Sequence, residues 1–290
     1  MSLSLILLQL VNGVHYGLLL FLVAGGLSLI FGLLGVINLA HGSFYMFGAW
    51  IVWWATTTTG NYWFALAAVV IFVAAGAWVL ERAVYRRVYE SSPLVHVLLT
   101  YGLALLLDEL RSALWDDEVH SLAAPESLRG FIDLGEGLPS YPLWRVFVSL
   151  LCLCLALGLW WLSARTRLGA AVRAGVERRE MAEGLGLNTP RLFSCIFILG
   201  AVLAAVSGAL AAPISSVYPG LDSQALILSF VVVVVGGVGS LSGAFVAALL
   251  LGVADTFGRT FLPEAASVAV YVVMFAVLVW RPEGVLASRR

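Results

Sequence analysis

The sequence predicts an all-α polytopic membrane protein, and three observations carry the prediction. Of 290 residues, 61% are hydrophobic and 11% charged, where a soluble domain carries about 25% charged residues. Met1 to Leu80 contains no Asp, Glu, Lys or Arg. Apolar stretches then recur along the whole chain, most of them near the ~20 residues that cross a hydrocarbon core as a helix. The net charge of −1 favours neither nucleic acid nor an anionic surface as partner, leaving membrane lipid as the surroundings. Lysine is absent throughout, which removes a phosphate-loop lysine and a Schiff-base lysine together.

Taken in order, the first stretch, Leu3–Leu34, exceeds one span and is interrupted by Asn12-Gly13. It reads as one long or bent element, or a short lead-in helix before a full span. It lacks the basic n-region of a cleavable signal peptide, so the first span is expected to be retained. Gln9, Asn12 and Tyr16 share one helical face; a polar seam packing against neighbouring helices is the preferred reading. Further spans run roughly over 41–58, 62–80, 93–114, 143–163, 191–212, 225–235, 243–258 and 266–280. Eight to ten transmembrane helices follow, with nine the best count.

Arginine sets the orientation. Arg82, Arg86 and Arg87 lie in one loop, six arginines lie between Ser163 and Arg191, and Arg281, Arg289 and Arg290 lie in the tail. The positive-inside rule makes all three segments cytoplasmic. The loop 115–141 carries Asp116, Asp117, Glu118, Glu126, Asp133 and Glu136 against Arg129, which places it outside, with the N-terminus.

Two Gly-rich motifs break the helical pattern: Gly35–Ser43 and Gly236–Gly243. Each separates an inward from an outward span, and an aromatic follows each, at Phe44 and Phe245, which suggests a short parallel internal repeat of the kind transporters use. The second motif lacks the lysine and preceding strand of a phosphate loop, so it reads as a hinge or pore-lining bend. His41 has no acidic or Cys neighbour and reads as a packing residue in preference to a proton relay. Asn38 either satisfies backbone freed at the break or touches substrate. Substrate is expected to pass beside these breaks, at Asn38, His41, Ser43, Gly237, Gly239 and Ser240, because irregular backbone survives in a membrane where it is buried or lines a cavity.

The polar island of the chain is Ser163–Arg191. Arg165, Arg167, Arg173, Arg178, Arg179 and Arg191 are interleaved there with Glu177, Glu180 and Glu183. The composition of 170–183 favours a helix. Gly184 and Gly186 can end it in a left-handed cap, and Asn188 or Thr189 can cap the next helix, with Pro190 in its first turn. The segment is either an ordinary charged loop or a docking helix for a cytoplasmic partner. Asp108 with Arg111, and Asp255 with Arg259, are spaced to pair on helices near the outer membrane ends. Cys152, Cys154 and Cys195 lie in apolar runs and read as small buried hydrophobes, not as a disulfide set or metal site. No catalytic motif for an intramembrane enzyme is present.

The stretch G-L-S-L-I-F-G-L-L-G-V-I-N-L-A-H-G-S-F-Y-M-F-G-A-W (Gly26–Trp50) closely resembles the permease subunits of branched-chain and hydrophobic amino acid ABC importers, the LivH type. V-R-A-G-V-E-R-R-E-M-A-E-G-L-G-L-N-T-P-R-L resembles that family's cytoplasmic coupling motif. V-V-V-V-V-G-G-V-G-S-L-S-G-A-F resembles its C-terminal glycine motif, and W-R-P-E-G-V-L its usual end. The resemblance spans nearly the whole chain and departs at Glu183-Gly184, where larger apolar residues are common. It implies a single transmembrane permease domain over 1–290, with a coupling helix at about 169–186 that enters an ATPase groove through Arg173, Glu177, Glu180, Met181, Ala182, Leu185 and Gly186. It also implies a sister permease of the LivM type, two LivG/LivF-type ATPase subunits holding the ATP and Mg, a periplasmic binding protein, and the bacterial inner membrane. This chain is then a non-enzymatic transport subunit without a cofactor of its own.

No buried ionisable cluster is evident in the spans. Small neutral or aliphatic substrates are expected, with leucine, isoleucine and valine first and urea or short amides second. A stand-alone secondary carrier or channel is the competing class.

Overall fold

A computed structural model describes residues 3–89, 91–133, 139–177, 179–184, 186–261 and 263–286. Its helices are α1 (Leu3–Leu34), α2 (His41–Thr59), α3 (Tyr62–Ala83), α4 (Pro93–Leu114), α5 (Leu143–Arg165), α6 (Arg167–Glu177), α7 (Arg179–Gly184), α8 (Thr189–Ala211), α9 (Leu221–Gly236), α10 (Leu241–Phe261) and α11 (Ala266–Trp280). The strands β1 (Phe131–Ile132) and β2 (Tyr141–Pro142) pair antiparallel in the loop before α5. Six helices, α1, α3, α4, α5, α8 and α10, are long and apolar enough to cross a membrane, and α9 and α11 are shorter apolar helices. With α2, every apolar stretch in the sequence carries a helix. The chain is an all-α, multi-pass membrane protein.

Local chemistry sets the helix ends. Asn61 caps α3 by accepting the Trp63 and Phe64 N–H groups, and Gly60, at φ 71°, closes α2 in the left-handed conformation. Helix α1 does not break at Asn12-Gly13. It continues for 32 residues, about 48 Å at 1.5 Å per residue, and so overruns a core of ~30 Å. Gly13 serves close approach: a Cβ there would stand 2.7 Å from the Val253 Cα. Small residues at helix crossings let backbones touch where no hydrophobic drive separates protein from lipid.

The core follows from those crossings. In α1 and α8, 78% and 72% of the apolar window is buried, against 22% in α3 and α5 and 11% in α4. Helices α1, α2, α8, α9 and α10 therefore form the packed centre, and α3, α4 and α5 turn wide faces outward. Helices α1 and α10 run antiparallel, with Gly13 against Val253 at one end and Gly32 against Gly239 at the other. The arginine-rich segments gather with Gly32, and we call this the arginine end. The loop after α4 and the α8–α9 connection meet at the opposite, acidic end, where the backbones of His120 and Val217 exchange hydrogen bonds of 2.8 Å. Cys152 is buried, but Cys154 and Cys195 are exposed and all three are free; their helices turn those positions outward, contrary to the expectation of burial.

Candidate functional site: a cavity above two broken hairpins

A cavity of about 490 Å³ lies at the acidic end. Gln9, Asn12, Arg145, Gln224, Asp255 and Arg259 line its mouth; Leu19, Leu20, Val23, Tyr45, Ala225 and Leu228 line its deeper wall. The face Gln9–Asn12–Tyr16, expected to be a packing seam, opens on this cavity. Asn12 also packs, since its Oδ1 accepts from Arg145 Nη1 at 2.8 Å. Arg259 donates to Asp255 at 2.7 Å, the pairing their spacing predicts. The sequence shows no buried ionisable cluster, yet folding brings Arg145, Asp255, Arg259 and His15 around one mouth. The pair Asn12–Arg145 is separated by 133 residues, so no local pattern could reveal it.

None of the expected path residues Asn38, His41, Ser43, Gly237, Gly239 and Ser240 lines the cavity. They form two breaks nearer the arginine end. After α1 the chain runs back as a short non-helical segment and enters α2 at His41. Side chains hold this segment. Asn38, fully buried, accepts at Oδ1 from the Tyr85 hydroxyl at 2.7 Å and from the Ala40 N–H at 3.1 Å. Thr100 Oγ1 accepts the Leu39 N–H at 3.1 Å. His41 Nε2 donates to the Val23 carbonyl at 2.9 Å, directly behind the cavity wall. The packing reading of His41 fits that bond. Asn38 Nδ2, His41 Nδ1 and the Ser43 hydroxyl are buried without a partner among the described residues.

The second break is held by backbone. Gly237 and Gly239 have φ of 96° and 75°, which L side chains rarely adopt. Ser240 caps α10, its Oγ accepting the Gly243 N–H at 3.0 Å. The carbonyls at the end of α9 are met by the last described residues, with Val285 N–H on Val235 at 2.8 Å and Leu286 N–H on Gly236 at 3.4 Å. Two motifs distant in sequence, Gly236–Gly243 and Trp280–Leu286, thus form one unit. Such carbonyls need partners where no water reaches.

The polar island forms a helical corner. A Cβ at Gly169 would press on the Leu162 and Ser163 carbonyls, so glycine permits the tight turn from α5 into α6. Arg173 is exposed but donates to the Ser163 carbonyl. Helix α7 ends in a Schellman closure: Leu187 N–H bonds Ala182 O at 3.0 Å, Gly186 N–H bonds Glu183 O at 2.9 Å, and Gly186 has φ 86°. Asn188 Oδ1 then accepts the Arg191 N–H at 3.1 Å and starts α8. Met181 is exposed and Ala182 buried. The side chains of Glu177 and Glu180, and all of Arg178 and Leu185, lie outside the described residues.

A link the sequence does not display joins this corner to the first break. Glu81, 1% exposed, accepts from the Ser194 hydroxyl at 2.7 Å and the Tyr89 hydroxyl at 3.1 Å. Burial, reinforced by the Glu81 carboxylate, holds the Tyr89 phenol well above its usual range, so it remains a donor. Phe197 on α8 lies against Tyr85 at 4.4 Å between ring centroids and against Phe44 at 5.9 Å. Contacts therefore run from the start of α8 through Tyr85 to Asn38, and through Phe44 to the His41 region.

A helical membrane bundle with a polar-mouthed cavity over broken helices defines a membrane transport protein. The family model described as "Branched-chain amino acid transport system / permease component" matches residues 9–279, and the chain belongs to that family. It is 31% identical to the high-affinity branched-chain amino acid transport system permease protein BraD of Pseudomonas aeruginosa, over 96% of this chain and 94% of BraD. It is 29% identical to the corresponding permease protein LivH of Escherichia coli, with the same coverage of each. Identity to LivM of E. coli is 26%, over 91% of this chain and 67% of LivM. No solved structure matches the chain.

Proposed function

We propose that this chain is one permease subunit of an ATP-driven importer for branched-chain or other small neutral amino acids in the bacterial inner membrane. The cavity carries this reading: a polar mouth can meet an amino acid's charged head, and an aliphatic wall can take its side chain. Branched-chain transport in the names of BraD and LivH supports it. A sister permease of the LivM type completes the membrane core; the likeness of this chain to LivM itself supports a pair of related subunits. A periplasmic binding protein delivers substrate at the acidic end.

Energy enters at the other end. Residues 169–186 dock on one of two LivG/LivF-type ATPase subunits, which hold ATP and Mg. Arg173, Glu177 and Glu180 supply polar contacts; Met181, Ala182, Leu185 and Gly186 shape the apolar side. Substrate leaves the cavity past the breaks at Asn38–Ser43 and Gly237–Ser240. Burying a side-chain charge at mid-membrane costs about 3 kcal/mol even on lenient scales, and among the described residues the deep wall offers no charged partner for it.

Competition uptake by the complete complex in proteoliposomes tests the reading. Isoleucine and valine should displace labelled leucine, and lysine and glutamate should not. Lysine or glutamate carried as well as leucine sinks the physical argument for selectivity. Preferred uptake of urea or acetamide selects the short-amide reading, which the amide groups of Gln9, Asn12 and Gln224 at the mouth favour. Leucine uptake by this chain alone, without ATP, selects a stand-alone carrier or channel.

A further inference from the structure

Among the described residues, Arg145 is a cavity-wall charge without an ion-pair partner. It lies in the first turn of α5 and donates to Asn12 Oδ1 at 2.8 Å. Among the described residues no carboxylate forms a salt bridge with it, whereas Arg259 is paired with Asp255 at 2.7 Å. A guanidinium in a partly buried wall without a counter-ion favours an anionic ligand, and its planar fork matches a carboxylate.

A fixed acceptor stands beside it. The Ser149 hydroxyl donates to the Arg145 carbonyl at 2.8 Å and so must accept from His15 Nδ1, also at 2.8 Å. The neutral imidazole then carries its proton on Nδ1, leaving Nε2 as an acceptor. His15 is 5% exposed, lines the cavity, and its Nε2 has no partner among the described residues. The Asp255 carboxylate lines the same cavity. Cation, acceptor and carboxylate thus surround one mouth, and Leu19, Leu20, Val23 and Leu228 lie deeper.

The geometry points to Arg145 as the carboxylate anchor that makes this permease select α-amino acids by their head group. The substrate carboxylate meets the Arg145 guanidinium, the ammonium faces His15 Nε2 and Asp255, and the aliphatic side chain enters first, toward Val23 and Leu228. Arg145 is then a specificity-determining residue, and Asn12 a positioning residue that aims it. The inference rests on the permease reading and adds which group of the substrate is read, and by which residue.

Equilibrium binding to the purified complex, without binding protein, tests it with three probes: leucine, isovalerate (carboxylate only) and isoamylamine (ammonium only). Arg145→Gln should weaken leucine by about tenfold or more, the scale of a lost charge-assisted pair. It should abolish isovalerate binding and leave isoamylamine unchanged. Arg145→Lys should restore part of the leucine affinity, and Asn12→Ala should fall between wild type and Arg145→Gln. Unchanged isoamylamine binding and rescue by lysine separate ligand recognition from misfolding. Leucine bound equally by wild type and Arg145→Gln overturns the inference, as does a wild type that binds none of the probes. If that same wild type still accumulates leucine with ATP, the permease reading stands without the anchor.

Discussion

The two breaks in the bundle solve one problem in different ways. At Gly35–Ala40 the freed backbone is held largely by side chains: Asn38 and Thr100 accept its N–H groups, Tyr85 orients Asn38, and His41 reaches the Val23 carbonyl. At Gly237–Ser240 it is held by backbone fit: two left-handed glycines, the carbonyls of Val235 and Gly236 bonded to the C-terminal segment, and glycine against glycine at Gly32–Gly239 and Gly237–Gly284. Side-chain hydrogen bonds can exchange partners within one backbone path. A close-packed glycine contact has no such freedom, because an added Cβ presses on the facing backbone. The first break is also the one tied to α8, and through it to the arginine-rich corner. The first break is built as a joint and the second as a clamp.

The largest effect should come from filling the clamp. At Gly284 φ is 93°, and a Cβ would stand 2.5 Å from the Gly237 nitrogen. Gly284→Ala should cost about 1–2 kcal/mol for left-handed backbone, and overpacking adds about 1–3 kcal/mol. A large drop in the melting temperature of the detergent-solubilised complex is expected; wild-type stability would break the distinction. At the joint, Asn38→Ala strands the Tyr85 hydroxyl and the Ala40 N–H, a loss of about 1–3 kcal/mol. Tyr85→Phe removes one hydroxyl and keeps the ring, so about 1 kcal/mol is expected. Both joint variants should lose transport beyond their loss of stability, measured as uptake per folded complex.

Charge reversal at Arg173 and Glu180 should lower transport and ATPase stimulation while membrane insertion persists. Arg173 also holds the Ser163 carbonyl, so Arg173→Gln serves as the control for the α5–α6 corner. Wild-type uptake by the double reversal would remove the docking role. The smallest effect lies far from both breaks. The hydrogen bond from Arg111, aided by Ser112, holds the exposed Asp117 carboxyl below its usual range. A depressed carboxyl contributes its stabilisation above the unfolded value of about 3.9 and loses it as pH falls through the lowered folded value. Fluorescence of Trp50 and Trp115, stacked beside Arg111, should hold steady from neutral pH down to that region and change only below it. Asp117→Asn should reduce the transition, leaving the part due to Asp116, whose carboxyl is held low by its hydrogen bond with His120.

Much of this fold is legible in the sequence because the membrane imposes length and polarity directly. Each apolar helix, both breaks, the Asn188 cap, the Gly186 closure and the Asp255–Arg259 pair follow from local spacing. Asn12-Gly13 misleads because a glycine used for close approach looks like one used for a break; only Val253 distinguishes them. The cavity mouth is illegible for another reason. Arg145 carries no local signal of its partner, because Asn12 lies 133 residues away, and the seam Gln9–Asn12–Tyr16 has no cavity until α9 and α10 stand opposite. The docking of Val285 on Val235 likewise joins motifs that are separate in sequence.

Thiol labelling across the transport cycle tests the joint and the clamp most directly. Cys152, Cys154 and Cys195 are first replaced, since two of them are exposed. Single cysteines are then placed at Asn38 and Ser240, which are 0% and 7% exposed in this state. Both should react with small polar reagents in a nucleotide-dependent manner, with the larger change at position 38. Inertness at both positions in every nucleotide state, while the complex still transports leucine, would contradict a path beside the breaks and leave them as packing devices.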